Sequence, residues 1–286
     1  MPAGTTGTSQ LDDIMPKFIA QTRYTLQFET PMAQLVRREK LPMHQGTIFN
    51  VPKMAGLTAY SLTEGVDMTQ AQQITDSNLA ITPAEVGVQT VFTDMAINQI
   101  RDNWASLASK IMGDAMGQKL DEDLVDQLDS FATALGSGSG TPLTASYLSA
   151  AYALITGNAT EPGRPPINTV VHPYSYEDMA QEVSLIDTNV KPQGVSEEVF
   201  TNYFMRRVQG SNVYMDGNID VASSAAKGAT FAKDAIILVM FQDPDEERER
   251  DASLRAWEVN ITSVYNWAEY QDVWGIELNV TASAPA

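Results

Sequence analysis

No cysteine occurs among the 286 residues, which excludes disulfides and thiolate metal sites. Only two histidines are present, His44 and His172, leaving little for histidine-based catalysis or zinc binding. Positive charge is also scarce: 18 basic residues stand against 36 acidic ones, a formal net charge of −18. Such a surface repels DNA phosphates and anionic lipid, so any nucleic-acid contact is expected to be local and weak. No apolar run approaches the ~20 residues of a membrane helix. The opening "MPAGTTGTSQ" lacks the basic and apolar regions of a secretion signal. These absences predict a soluble protein made in a cytoplasm. With 43% hydrophobic and 19% charged residues the composition is globular, and the length suits two ordinary domains or one with a large excursion.

Two-residue periodicity begins near Gly46. "TIFNVP" reads as a short strand stopped by Pro52, and "LTAYSLTE" as a second, with Leu57, Ala59 and Ser61 opposite Tyr60 and Leu62. "NLAIT" alternates through Leu79 and Ile81, turns at Pro83, and continues in "EVGVQTVF" with Val86, Val88 and Phe92 in phase. The pattern predicts a long two-armed ribbon with its tip at residues 57–80. Its large apolar residues are too few to bury it, and a lone ribbon is marginal in water. It needs a cover that the chain does not visibly supply.

Elsewhere the periodicity is helical. Residues 11–41 read as two helical pieces, the second restarted by Thr30-Pro31 and closing on Arg37, Arg38 and Lys40. Phe18 and Ile19 on the first need a partner surface. The longest signal runs from Asp94 to Leu135, with a stripe through Ile100, Trp104, Leu107, Ile111, Ala115, Leu120, Leu124, Leu128 and Phe131. That is about 60 Å of helix, with Gly113 and Gly117 placed to bend it. "GSGSG" (Gly136–Gly140) reads as a flexible joint. Beyond it lie a helix capped by Thr144, a buried strand "NTVVHP", a helix with Ser175 and Asp178 at capping-box spacing, a helix over Ser196–Val208, and the strand and turn "SNVYMDG". "AIILVMF" (Ala235–Phe241) has the uniform apolarity of a strand covered on both faces. "AWEVNITSVY" and "WGIELNVTA" alternate as half-buried strands. "DPDEERERD" between the first two reads as a solvated loop.

Few motifs carry chemistry. "DGNID" (Asp216–Asp220) begins like a calcium loop, but Val221 and Lys227 stand where Gly and Glu belong, so a turn is expected. "GSGSG" follows a helix and has no lysine, unlike a phosphate cradle. His172 reads as a hydrogen-bonded structural residue and His44 as exposed. The alternating charges of Glu246–Asp251 read as a solvated loop or, more sharply, as an inter-subunit ion-pair patch through Arg248 and Arg250. Without a secretion signal, the glycosylation patterns at Asn158, Asn260 and Asn279 carry no meaning. No catalytic, cofactor-binding or metal-binding residue is expected, and the chain reads as no enzyme.

The order of these elements resembles the major capsid protein of tailed bacteriophages, the Hong Kong 97 fold, over nearly the whole chain from Leu11 to Ala282. "VPKMAGLTAYSLTEG" and "ITPAEVGVQTVFTD" look like its extended loop. "AINQIRDNWASLASKIMGDAMGQKLDEDLVDQLDSF" looks like its spine helix. "NTVVHPYSYEDMAQEV" is similar to the opening of its axial domain, and "GATFAKDAIILVM" and "RDASLRAWEVNITSVYNWAEYQDVWGIELNV" to its closing strands. The resemblance implies an α+β fold divided into an N-terminal arm (1–40), an extended β-hairpin loop (41–93), a spine helix in a peripheral domain (94–140), an axial domain (141–255) and C-terminal strands returning to the peripheral domain (256–286).

It further implies hexamers and pentamers of one chain closing into an icosahedral shell around double-stranded DNA, without sequence-specific binding and away from membranes. The shell would assemble in a host bacterial cytoplasm and become part of the virion. Scaffolding, portal and cement proteins are the implied partners, and no cofactor is implied. Leu57, Tyr60, Leu62, Leu79, Ile81, Phe18, Ile19, Arg248 and Arg250 are the expected subunit-interface residues. Lys53, the loop's only lysine, has no marked catalyst or partner for crosslinking, so no crosslink is expected. An encapsulin-like compartment shell is the alternative on the same fold; a soluble α+β hydrolase using His172 is the alternative from another class.

Overall fold

The computed structural model describes residues 5–6, 31–41, 48–54, 56–69, 71–99, 104–186, 207–208 and 210–284. A short strand β1 (Thr5–Thr6) comes first, then a single helical turn α1 (Met32–Leu35) and strand β2 (Arg37–Lys40). Strands β3 (Phe49–Met54) and β4 (Asp76–Ile81) flank an irregular excursion, 56–75, with a turn at Glu64–Gly65. Strand β5 (Ala84–Thr93) leads into helices α2 (Asp94–Gln99) and α3 (Trp104–Asp126), a 3-10 turn (Gln127–Ser130) and a two-residue strand β6 (Ala134–Leu135). Helix α4 (Ala145–Thr156), strand β7 (Ile167–Val171) and helix α5 (Pro173–Ile186) follow. Strands β8 (Arg207–Val208), β9 (Ser211–Met215), β10 (Val221–Ala222) and β11 (Ala225–Ala232) precede two long strands, β12 (Ile236–Asp251) and β13 (Ala256–Glu269), and the closing strand β14 (Gly275–Thr281).

Three sheets result. The first has the order β1-β5-β13-β12-β2, the second β6-β14-β11-β7-β9-β8 with β10 paired to β11, and the third is the pair β3-β4. Strand β12 explains how they meet. Its run Ile236–Met240 is buried, as its uniform apolarity predicts. Ile236, Leu238 and Met240 face the main core with Leu124, Leu128, Phe231 and Tyr265, whereas Ile237 and Val239 face Val51 and Ile81 at the base of the β3-β4 ribbon. The ribbon therefore finds its cover inside the chain, which the sequence did not reveal. Val86, Val88 and Phe92 of β5 pack with Val259 and Ile261 against Ala108, Met112 and Met116 of α3. A separate core under α4 and α5 gathers Leu148, Ala151, Ile155 and Met179 over Ile167, Val171, Ile276 and Leu278.

Several expected elements differ. Arg37–Lys40 is a strand, parallel to Ile237–Met240, because the open edge of a buried strand recruits it and Val36 turns extended after one helical turn. Strand β3 runs through Pro52 to Met54; in a two-stranded ribbon proline's missing N–H needs to face only the open side. Leu57–Glu64 has no ladder partner among the described residues and is not a strand. Strand β5 lies in the first sheet, not in the ribbon.

Helix α3 ends at Asp126, so its 23 residues span about 35 Å. Its buried stripe runs through Ala108, Met112, Met116 and Leu124 and continues to Leu128 in the 3-10 turn, and Ile111 faces outward, since alanine and pliable methionine fit closer to a sheet than a branched side chain. "DPDEERERD" is no loop: β12 continues through it, paired with β13 as far as Asp251. Ser175 lies within α5 and donates to the Thr281 carbonyl at 2.7 Å, so it forms no capping box. Thr144 is the N-cap of α4, but its hydroxyl bonds that of Ser146 at 2.7 Å and makes no cap bond.

"GSGSG" is pinned in place. Gly136, Gly138 and Gly140 all have φ near +90°, the Gly138 N–H donates to the Asn279 carbonyl at 3.1 Å, and the Gly140 N–H donates to Thr281 Oγ1 at 2.9 Å. A Cβ on Gly136 would lie 2.1 Å from that same Asn279 oxygen. The expected helices over 11–30 and 196–206 lie outside the described residues. Sheet pairing also crosses the expected segments: β5, β12 and β13 share one sheet, while β14 joins β7, β9 and β11 in the other.

Candidate subunit interface

The excursion between β3 and β4 is held at both ends. At its base Asn78 Nδ2 donates to Asn50 Oδ1 at 2.8 Å, and Lys53 Nζ donates to the Tyr270 carbonyl at 3.2 Å while lying over the Tyr270 ring. At its neck Gln72 grips Thr58 twice: the Thr58 N–H donates to Oε1 at 2.9 Å, and Nε2 donates to the Thr58 carbonyl at 2.5 Å. Gly65, with φ +77°, makes the turn at the tip. Sequence reading missed Gln72, because a side chain that closes a loop across fourteen positions has no periodic signature.

Between these ties the apolar side chains point into solvent. Leu57, Tyr60, Leu62, Val66, Met68 and Ile74 are all exposed, Leu62 at 67% of its full surface. Leu79 is partly buried at the ribbon base, and Ile81, at 2% exposure, is covered by Val51, Ile237 and Val239 of its own chain. The expected residues thus separate: Leu57, Tyr60 and Leu62 are free, Leu79 is half-committed and Ile81 is spent internally. Phe18 and Ile19 lie outside the described residues.

Arg248 and Arg250 both point back to the subunit. Arg248 pairs with Glu246 and reaches Ser109 Oγ on α3 at 3.4 Å. Arg250 bonds Asp94 Oδ2 at 2.9 Å and lies over the Trp257 ring at 5.6 Å. A hydrogen bond from Ser109, then one from Arg248, holds the Glu246 carboxyl below its usual range. These contacts fasten the charged end of the β12-β13 arm to the helices, with each guanidinium group about half exposed.

The buried polar groups are structural. Tyr265 donates to Asp123 Oδ2 at 2.8 Å, tying β13 to α3; burial, then the Asp123 bond, push the phenol's pKa upward. His172 Nδ1 accepts the Tyr174 N–H at 3.1 Å, so the neutral ring carries its proton on Nε2 and caps the start of α5. Burial lowers its pKa. A cleft of about 900 Å³ opens between the ribbon base, the turn at 159–164 and Tyr270–Trp274. Lys53, Glu161, Arg164 and Asp234 supply its charge, and His172 is not among its lining residues. Among the described residues no group of three histidine or carboxylate side chains is arranged to hold a metal, and no helix is long and apolar enough to cross a membrane.

A folded body carrying an exposed, apolar-studded loop suits a subunit that assembles, and the comparisons agree. The family described as Phage capsid protein matches residues 77–276. The chain belongs to the phage capsid protein family. Its fold is that of solved phage structures at low identity. The capsid of Helicobacter pylori bacteriophage KHP30 superposes with a TM-score of 0.77 at 10% identity, over 97% of this chain and 98% of that one. The capsid of cyanophage P-SCSP1u gives 0.73 at 16%, over 97% and 96%. A chain of Mycobacterium phage Che8 gives 0.71 at 14%, over 92% and 97%. No curated protein sequence matches. The α+β, Hong Kong 97-like capsid fold is thus the fold of this capsid protein, and its place is the virion shell.

Proposed function

We propose that this capsid protein is the major shell subunit of a tailed bacteriophage, forming hexamers and pentamers that close into an icosahedral shell around double-stranded DNA. The observation that carries the reading is the loop 56–75, where Leu57, Tyr60, Leu62, Val66, Met68 and Ile74 are exposed while the ribbon base beneath it is buried at Val51 and Ile81. Leu57, Tyr60 and Leu62 would fill a neighbour's surface, with Leu79 extending that contact toward the ribbon base. Stable interfaces of this kind bury on the order of 2,000–5,000 Å².

The net charge of −18 supports a shell that encloses DNA without gripping it. Assembly in the bacterial cytoplasm, with separate scaffolding, portal and cement proteins, completes the proposal. Were the shell to expand after assembly, Gly87 would make a poor hinge, being paired in the ladder opposite Thr262, whereas Gly113 and Gly117 have open space beside them in α3. The helix pair is therefore the proposed site of any re-angling.

Sedimentation and negative-stain microscopy of the purified full-length chain test this. Closed particles in the megadalton range are expected; a monomer or small oligomer at every concentration refutes the shell. Particles filled with protein cargo would instead favour the encapsulin-like compartment.

A further inference from the structure

Two carboxyl groups meet in the core beneath the N-terminal segment. Asp121 of α3 is 0% exposed and Asp216, in the turn after β9, is 1% exposed. Asp121 Oδ1 accepts the Met32 N–H at 2.9 Å, and its Oδ2 accepts Asn218 Nδ2 at 2.9 Å. Asp216 Oδ1 accepts the Asn218 N–H at 2.9 Å, yet Asp216 Oδ2 is buried without any hydrogen-bond partner. Two adjacent buried carboxylates with no counter-charge are untenable as a pair of anions.

Among the described residues the surrounding elements supply no cation. From α1 come Met32 and Leu35, with Val36 beyond them, all apolar. From β7 comes the Val171 carbonyl, which accepts the Asp216 N–H at 3.0 Å; His172 beside it is engaged by Tyr174. On α3, Asp123 is turned to Tyr265 and Lys119. On the turn itself Asp220 is exposed.

We propose that Asp216 carries a proton that it shares with Asp121, and that this proton clamps the segment 31–41 onto the body. The missing partner of Asp216 Oδ2 is then Asp121, and the lid formed by Met32, Leu35 and Val36 hangs on the same carboxylate through the Met32 N–H. Burial, with Asp121 alongside, raises the Asp216 pKa from its ordinary 3.8 to about 8. Lifting the lid wets the pair and lets Asp216 ionise near its ordinary value. The clamp is therefore tightest in acid, weakens as pH rises above about 4, and levels off above about 8. The inference goes beyond the shell reading, since it concerns how one subunit holds its own N-terminal segment.

Hydrogen–deuterium exchange of the full-length chain, corrected for intrinsic rates, reads the opening of residues 31–41 at about pH 5, 6.5 and 8. In the wild type the opening constant should rise at least about tenfold across that range. Asp216→Asn, which keeps a donor without titrating, should stay flat. Equal pH dependence in the two proteins overturns the proposal. Recovery of wild-type protection at pH 8 on adding calcium chloride also overturns it, by showing that a cation bridges the pair. Should the variant not fold, infrared titration of the wild type decides: a protonated-carboxyl band must persist at neutral pH and disappear by about pH 9, and its absence refutes the shared proton. None of these readouts depends on assembly, so failure here leaves the shell reading intact.

Discussion

Replacing Leu57, Tyr60 and Leu62 together by serine separates assembly from folding. Fully burying one such side chain contributes roughly 1.5–3 kcal/mol. In the subunit the three keep 57%, 48% and 67% of their surface in solvent, so a neighbour's cover would contribute roughly 1–2 kcal/mol for each, or about 3–5 kcal/mol per subunit. At about 1.4 kcal/mol per tenfold, the concentration at which shells appear should rise about a hundred- to several-thousand-fold. The isolated subunit should melt almost unchanged, since exposed substitutions usually fall within about 0.5 kcal/mol. Sedimentation velocity across a concentration series measures the first quantity and thermal unfolding of the dissociated chain the second. Shells forming at the wild-type concentration would refute the loop's role in holding neighbours together. A subunit melting many degrees lower would show instead that the loop belongs to its own core.

Ile81→Ala should do the reverse. Its side chain fills the space between Val51, Ile237 and Val239, so denaturant unfolding of the subunit should show a loss of about 2–5 kcal/mol; a loss under about 1 kcal/mol would mean the ribbon base is loosely seated. Gly136→Ala forces a side chain into φ +94° against the Asn279 carbonyl, and should cost at least about 2 kcal/mol by the same measurement; a neutral result would mean that the loop is the flexible joint its composition suggests. Burial depresses the His172 pKa, so the unfolded chain takes up a proton that the folded chain resists. Subunit stability should fall as pH drops below about 6.5, through the folded pKa. His172→Asn, which can accept the Tyr174 N–H without titrating, should flatten that slope, as melting temperatures between pH 5 and 8 would show; an unchanged slope would place the titration elsewhere.

What the sequence disclosed was local. Ile236–Met240 announces a doubly covered strand because five consecutive apolar residues leave no face for water. The alternation from Val86 to Phe92 likewise marks its inward face. The same alternation misled at Leu57–Glu64, since period two records only which residues want cover and a strand also needs a ladder partner. Arg37–Lys40 failed for the complementary reason: its partner, β12, lies some two hundred positions away, and no helical propensity competes with an open edge of a buried strand. The stripe was legible at Leu124, Leu128 and Phe131, but around Ile111 and Ala115 it was misread by one position because Met112 and Met116 are less conspicuous than Ile111. The pair Asp121 and Asp216 left one trace, the "DGN" turn, and became a site only when folding brought a helix beneath it.

The loop's polarity follows from the two lives an assembling subunit must lead. An unassembled chain with a continuous apolar patch would aggregate. Between Leu57 and Ile74, however, the exposed apolar residues are separated by Thr58, Ser61, Thr63, Glu64, Asp67 and Thr69, all facing water. The ribbon below is guarded as well: its β3 edge carries Pro52, which offers no donor and discourages edge-to-edge pairing. Scattered apolar residues attract little in isolation, but they act together against a surface complementary to their spacing. In the proposed shell that surface belongs to another copy of the chain, since the ribbon base already spends the cover that β12 provides. A clasp that is soluble alone and specific in company needs this sparse pattern, and a denser one would have folded back onto its own body.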